Sequence, residues 1–239
     1  MPCRLYIAAK APRVGVAKTR LGRMLGAAEA VSLYRAFLVD IGGRFAAAPF
    51  PVGWYVTPAD AWSELAPIVG WSEHEQQVLV QGTGDWTERQ RQLFRGAPGR
   101  GEEQIILIAS DSPHITVAVV ADAFCMLERH DIVIGPVFDG GYYLLGMRGW
   151  HDILHGIPMS TTTVMQAITA RAYELGLTVG ELETTFDIDE VADLPHLQRL
   201  ALARDDLSAT RATLARLGLV EPSASLCPRW NGTGEGRQH

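Results

Sequence analysis

Three segments carry residue types and spacings that could do chemistry. Lys10-Ala-Pro-Arg-Val-Gly-Val-Ala-Lys-Thr-Arg-Leu21 sets Lys10, Arg13, Lys18 and Arg20 around Gly15, enough cations for a diphosphate or triphosphate on a loop whose glycine frees the backbone. Ile106-Leu-Ile-Ala-Ser-Asp-Ser-Pro113 places Asp111 directly after an apolar run, where one carboxylate can meet a hard cation that also takes phosphate oxygens. Gly135-Pro-Val-Phe-Asp-Gly-Gly-Tyr-Tyr-Leu-Leu-Gly146 places Asp139 beside Gly140 and Gly141, a turn against which a sugar or ribose can lie while Asp139 accepts from its hydroxyls. A fourth cluster, Asp187-Ile-Asp-Glu-Val-Ala-Asp-Leu194, offers a carboxylate that could complete a metal site if it lies near Asp111.

Each segment also has a plainer reading. The basic loop could be solvated, since it is neither a Walker sequence nor a Gly-x-Gly-x-x-Gly turn. Asp111 could cap a helix beginning at Pro113. Asp139-Gly140 could be a tight hairpin turn, and the late acids could complement a helix dipole. His114 could meet a phosphate, His151 and His155 have the spacing of a metal pair, and Trp86 and Trp150 could stack on a base or fill core.

The elements that must hold these segments alternate short β-branched runs with helical periods, the pattern of a mostly parallel sheet with helices on both faces. Strands are expected at about 4–9, 51–57, 77–81, 104–109, 131–137, 142–147 and 178–179. Helices are expected at about 27–47, 60–67, 85–94, 116–129 and 160–175, with Ser160 opening the last, and two more follow residue 190. In such a sheet ligands sit outside the carboxyl ends of the strands, and the three segments fall there.

With 239 residues and 47% hydrophobic content the chain can bury one large core, so residues 1–219 are expected to form one domain. Residues 220–239, rich in Pro, Ser, Gly and Arg, read as a loose tail that could reach the second subunit of a homodimer. A net charge of −6 argues against a nucleic-acid or anionic-membrane partner but leaves small phosphorylated ligands open. Cys3, Cys125 and Cys227 form neither a disulfide framework nor a zinc knuckle, and the chain shows no membrane span or signal peptide, which points to the cytoplasm.

Taken in order, the segments resemble the nucleotide-diphospho-sugar transferase-like proteins of the radical-SAM/selenodomain-associated transferase 1 or arsenosugar biosynthesis glycosyltransferase kind. The resemblance runs over roughly residues 4 to 200 and rests on Lys10, Pro12, Gly15, Lys18 to Leu21, Ser110 to Pro113, Gly135 to Leu144, Ser160, Thr161, Val164, Asp187, Asp189, Asp193 and Leu194. It implies a GT-A fold, Rossmann-like and shared with nucleotidyltransferases, and a metal-dependent glycosyl transfer from a nucleotide sugar to a small-molecule acceptor. The alternative is a nucleotidyltransferase that releases pyrophosphate from a nucleoside triphosphate. By the resemblance Lys10, Lys18 and Arg20, with Gly15, hold phosphates, and Asp111 and Asp189 hold Mg²⁺ or Mn²⁺. Asp139 with Gly140 and Gly141 holds the sugar or acceptor side; Asp139 and Lys18 are the catalytic candidates. The chain departs from the family pattern at Asp85-Trp-Thr-Glu-Arg89, Ala109, Met159 and Glu190, positions around the expected pockets, so substrate identity carries over less well than fold.

Overall fold

A computed structural model describes residues 1–71, 77–159 and 161–219. The expected tail at 220–239 and the helix-opening Ser160 lie outside the described residues. Among the described residues, seven strands form one sheet: β1 (Cys3–Lys10), β2 (Val52–Thr57), β3 (Gln77–Val80), β4 (Gln104–Ala109), β5 (Ile132–Pro136), β6 (Tyr142–Arg148) and β7 (Val179–Glu181), in the spatial order β3-β2-β1-β4-β6-β5-β7. All pairings are parallel except the two made by β6, which runs antiparallel between β4 and β5.

The strand sequences divide their side chains between two cores, because alternate residues of a strand face opposite sides of the sheet. Leu5, Ile7 and Ala9 of β1, Trp54 and Val56 of β2, and Ile106 and Ile108 of β4 join one core. It is covered by α1 (Thr19–Leu25), α2 (Ala27–Ala46), α3 (Trp62–Val69), α5 (Val117–Leu127), α7 (Leu194–Ala203) and α8 (Ser208–Arg216). Tyr6, Ala8, Tyr55, Ile105 and Leu107 face the other way, under α4 (Trp86–Arg95) and α6 (Val164–Glu174). The apolar face of α2 is broad enough to bury Leu33, Tyr34, Phe37, Leu38 and Ile41.

Two local arrangements differ from the sequence expectation. The basic loop does not run on to residue 21: α1 begins at Thr19, and Lys18 is its N-cap in the left-handed conformation (φ 50°). This helix has seven residues, so positive charge at its start comes from side chains and owes little to a summed helix dipole. The helix expected from Ser160 begins at Val164.

The tight turn between β5 and β6 is present, closed by Gly140 N–H donating to the Val137 carbonyl at 3.1 Å. Gly140 has φ 88°, and a Cβ there would run into the backbone carbonyl of Thr162, so the turn requires glycine on both counts. Met165 N–H donates to the Gly140 carbonyl at 3.1 Å, tying the turn to the first residues of α6.

Candidate active site

The carboxyl ends of β1 and β4 are neighbours, and a residue of α2 fixes their separation. The Tyr34 hydroxyl accepts from Lys10 N–H at 3.0 Å and lies 2.8 Å from Ser110 Oγ. Burial first, and the nearby Asp111 charge second, keep this phenol protonated well above its ordinary range. From these two strand ends the basic loop and the Ser110–Pro113 turn open into one cavity of about 450 Å³.

Lys18 is the centre of the cavity floor. Its side chain is only 2% exposed, and its Nζ lies 3.4 Å from Asp111 Oδ2 and 3.8 Å from Asp189 Oδ1. It also donates to the Ile188 carbonyl at 2.5 Å. Arg20 reaches the same carboxylate from outside, with Nη1 3.4 Å from Asp189 Oδ2. Asp193 Oδ2 accepts from the N–H groups of Asp189 (2.9 Å) and Glu190 (2.7 Å), so this acid is a cap that shapes the segment.

Asp187 is the member of the acidic cluster whose environment differs most from water. Its carboxyl accepts from Ser112 Oγ at 3.2 Å, and its pKa is raised to about 7. Burial is the main cause, followed by the Asp189 charge, with Lys18 pulling the other way and Asp139 adding a smaller push. At Asp187 the field of the neighbouring acids thus outweighs that of Lys18.

Lys10, Lys18, Arg20, Asp111 and Asp189 all line the cavity. Gly15, at φ 78°, shapes the loop without lining it. Arg13 leaves the basic set, since its guanidinium binds Glu64 (2.6 Å) and Asp60 (2.8 Å), which hold it more firmly protonated than usual. Asp139 spends Oδ1 on its own turn, accepting from Gly141 N–H at 2.9 Å, and Gly141 lines an adjoining cavity. His151 Nε2 contacts the Arg148 carbonyl at 3.0 Å and is not paired with His155. Trp150 packs against the second core, whereas Trp86 lines both cavities.

His114, three residues beyond Asp111, is buried rather than solvated. Its ring is 7% exposed, stacks on Phe186 at 4.6 Å, and has no partner at either nitrogen. Burial, then Arg204, Arg44 and Lys18, push its pKa from 6.5 down to about 4. Between those values the unfolded chain binds a proton that the folded chain refuses, so stability falls as pH drops from 6.5 towards 4. The expected loss at pH 5 relative to neutral pH is about 2 kcal/mol from this group. Denaturant midpoints of wild type and His114→Leu at pH 7.5 and pH 5 check it. Asp187, raised to about 7, gains stability on acidification in both proteins, so the variant should come out about 2 kcal/mol better than wild type in its change between the two pH values. Equal changes would assign none of it to His114.

Sequence reasoning did not single out Tyr34, Gln81, Arg89 or Gln90, nor Asp187 as a buried group apart from its cluster. Arg89 is the one with a signal, because it closes the departing Asp85-Trp-Thr-Glu-Arg89 segment. Its Nε donates to the Gly84 carbonyl at 3.0 Å, and it adds a cation to the cavity wall.

Among the described residues no group of three or more His, Cys, Asp and Glu side chains is arranged to hold a metal alone. The donor set instead fits an ion that takes one or two carboxylates and completes its shell with phosphate oxygens and water. Asp111 and Asp189 face a common cation, Lys18 Nζ, with the half-buried Asp187 beside them.

These observations define a mostly parallel α/β fold with a charged cavity at the strand ends, where open α/β sheets carry ligand sites, and that fold matches solved nucleotide-handling transferases. A crystal structure from Desulfovibrio desulfuricans G20, described as a putative nucleotide-diphospho-sugar transferase, superposes with a TM-score of 0.82 at 28% identity, covering 90% of this chain and 94% of that one. Residues 45–161 match the family described as "Uncharacterized protein conserved in bacteria (DUF2064)". A cytidylyltransferase from Leptospira borgpetersenii shares the fold at 11% identity (TM-score 0.53, covering 93% and 98% of the two chains). CMP:2-keto-3-deoxy-manno-octonic acid synthetase, solved with CTP, does so at 12% (0.52, covering 85% and 99%). No curated protein matches the sequence. Among the described residues no helix is long and apolar enough to cross a membrane.

Proposed function

We propose that this protein is a divalent-metal-dependent transferase that moves a glycosyl group from a nucleotide-diphosphate sugar to a small-molecule acceptor. The observation that carries the reading is the buried Lys18 ammonium between Asp111 and Asp189 in the floor of a cavity that Lys10, Arg20 and Arg89 also line. Carboxylates alone would repel a diphosphate, and cations alone would hold it without a metal. Both together suit a diphosphate that arrives with its ion.

Asp111 and Asp189 would hold Mg²⁺ or Mn²⁺, which when bound neutralises charge on the departing diphosphate. The chain's own cations do the remaining work. Lys18 is held at a fixed point by the Ile188 carbonyl and offers its ammonium without reorganisation, while Lys10 and Arg20 stand at the more exposed rim. Trp86 offers an aromatic wall, and the Asp139–Gly141 turn borders the side on which an acceptor would enter. The 28% identical relative supports glycosyl transfer over nucleotidyl transfer, since the cytidylyltransferase likeness extends to the fold alone.

A thermal-shift screen against nucleoside diphosphates, triphosphates and nucleotide sugars, with and without Mg²⁺ or Mn²⁺, tests the reading. A metal-dependent rise in unfolding temperature with one nucleotide sugar and its diphosphate is expected. Preference for a triphosphate, with pyrophosphate released on turnover, would assign nucleotidyl transfer instead.

A further inference from the structure

A second cavity of about 220 Å³ adjoins the first, and Asp187 and Asp189 line both. Its wall differs in kind. Leu107, Met159 and Val164 make it apolar, Trp86 and Tyr142 make it aromatic, and among the described residues no Lys or Arg lines it. A phosphate or carboxylate entering this space would meet two aspartates and no cation, so the space disfavours anions.

One polar side chain in that wall is left unspent. Gln90 is fully buried, its Oε1 accepts from the Tyr142 hydroxyl at 2.9 Å, and its Nε2 has no partner. Buried amide donors without partners are rare and unfavourable, and the deficit is removed when a ligand oxygen supplies the missing acceptor. Gln90 stands four residues after Trp86 on α4, so ring and amide share one helix face. The helix itself is fixed there by the Asp85 cap and by Thr87 Oγ1 donating to the Ile157 carbonyl at 3.1 Å.

We propose that this cavity receives the transferred group of the donor, an uncharged sugar, with Gln90 Nε2 donating to one of its oxygens and Trp86 and Tyr142 covering its C–H face. The proposal rests on the transferase reading and adds the class of sugar and the residue that selects it. Asp187, Asp189, Trp86 and Tyr142 line both cavities, so a sugar joined to a diphosphate in the first can extend into the second. The absence of a cation disfavours sugars bearing a carboxylate, and a single donor in an apolar wall suits a ring that turns one face to hydrocarbon.

The test is calorimetric titration of the whole chain with Mn²⁺ and UDP, GDP or ADP, then UDP-glucose, GDP-mannose, ADP-glucose and UDP-glucuronate. The wild type should bind one neutral nucleotide sugar more tightly than its parent diphosphate. Gln90→Glu keeps an acceptor for the Tyr142 hydroxyl and removes the amide donor; Gln90→Leu removes both. Each should lose about tenfold in affinity for the nucleotide sugar, with diphosphate affinity changed less than about twofold. Variants that keep the sugar's added affinity, or glucuronate binding as tightly as glucose, would overturn the assignment. Sugars that add nothing in the wild type would overturn it too and give the cavity to the acceptor. A wild type that binds none of the diphosphates would remove the transferase reading along with it.

Discussion

Asp111→Asn is expected to lower turnover of the donor found by nucleotide screening by at least about a hundredfold while leaving the protein folded. The carboxylate lies two residues past β4, and Tyr34, bonded to Ser110 and Lys10, helps set its distance from the basic loop. The asparagine keeps the shape and removes the charge that a divalent ion and Lys18 both use. Asp111 is itself partly solvent-exposed, so the fold loses little. The signature to look for is loss of the metal-dependent part of nucleotide binding, measured as the difference in affinity with Mn²⁺ and with EDTA. A variant that retains both turnover and that difference would show that Asp111 is no ligand.

Lys18→Met should cost as much in turnover, about 10² to 10³-fold, but with a different stability signature. Methionine fills the space of the buried stem and contributes no ammonium, leaving Asp111, Asp187 and Asp189 facing one another and the Ile188 carbonyl without its donor. Removing one partner of a buried ion pair leaves the others uncompensated. The expected destabilisation is about 1–3 kcal/mol, discounted because Asp111 and Asp189 are reached by water. Added Mg²⁺ should return part of that stability, since the ion can occupy the same negative field, without returning activity. Denaturant melts with and without Mg²⁺, read beside turnover, distinguish this from simple unfolding. A variant as stable as wild type and still active would show that the Lys18 ammonium contributes neither to turnover nor to the fold.

Much of this site was legible in the sequence because it rests on local rules. A run such as Ile105–Ala109 reads as a buried strand, an acid directly after it must emerge at the sheet's edge, and α/β sheets gather such edges on one side. Asp139-Gly140-Gly141 reads as a turn because few other residues tolerate its backbone. What stayed hidden depends on partners distant in sequence. Arg13 counts as one cation among four until Glu64 and Asp60, some fifty residues away, engage it. Gln90 looks like an ordinary helix-surface amide, and only the docking of α4 on the sheet buries it beside Tyr142. His114 reads as a solvated loop histidine because the Phe186 ring it stacks on lies beyond β7. The placement of β6 between β4 and β5 follows from strand pairing that composition and periodicity do not encode.

The hydrogen bond from Lys18 to the Ile188 carbonyl joins residues 170 positions apart and ties the lysine of the cavity floor to the segment that carries Asp187 and Asp189. On the ribosome this sets an order of events. β1 and the basic loop are made long before the segment carrying Asp187 and Asp189, which follows β7 by only a few residues. A nascent or truncated chain that ends before Asp187 has Lys18, Asp111 and the sheet but lacks both late carboxylates and the carbonyl that holds Lys18, so the charged cluster closes only when the segment after β7 joins the rest.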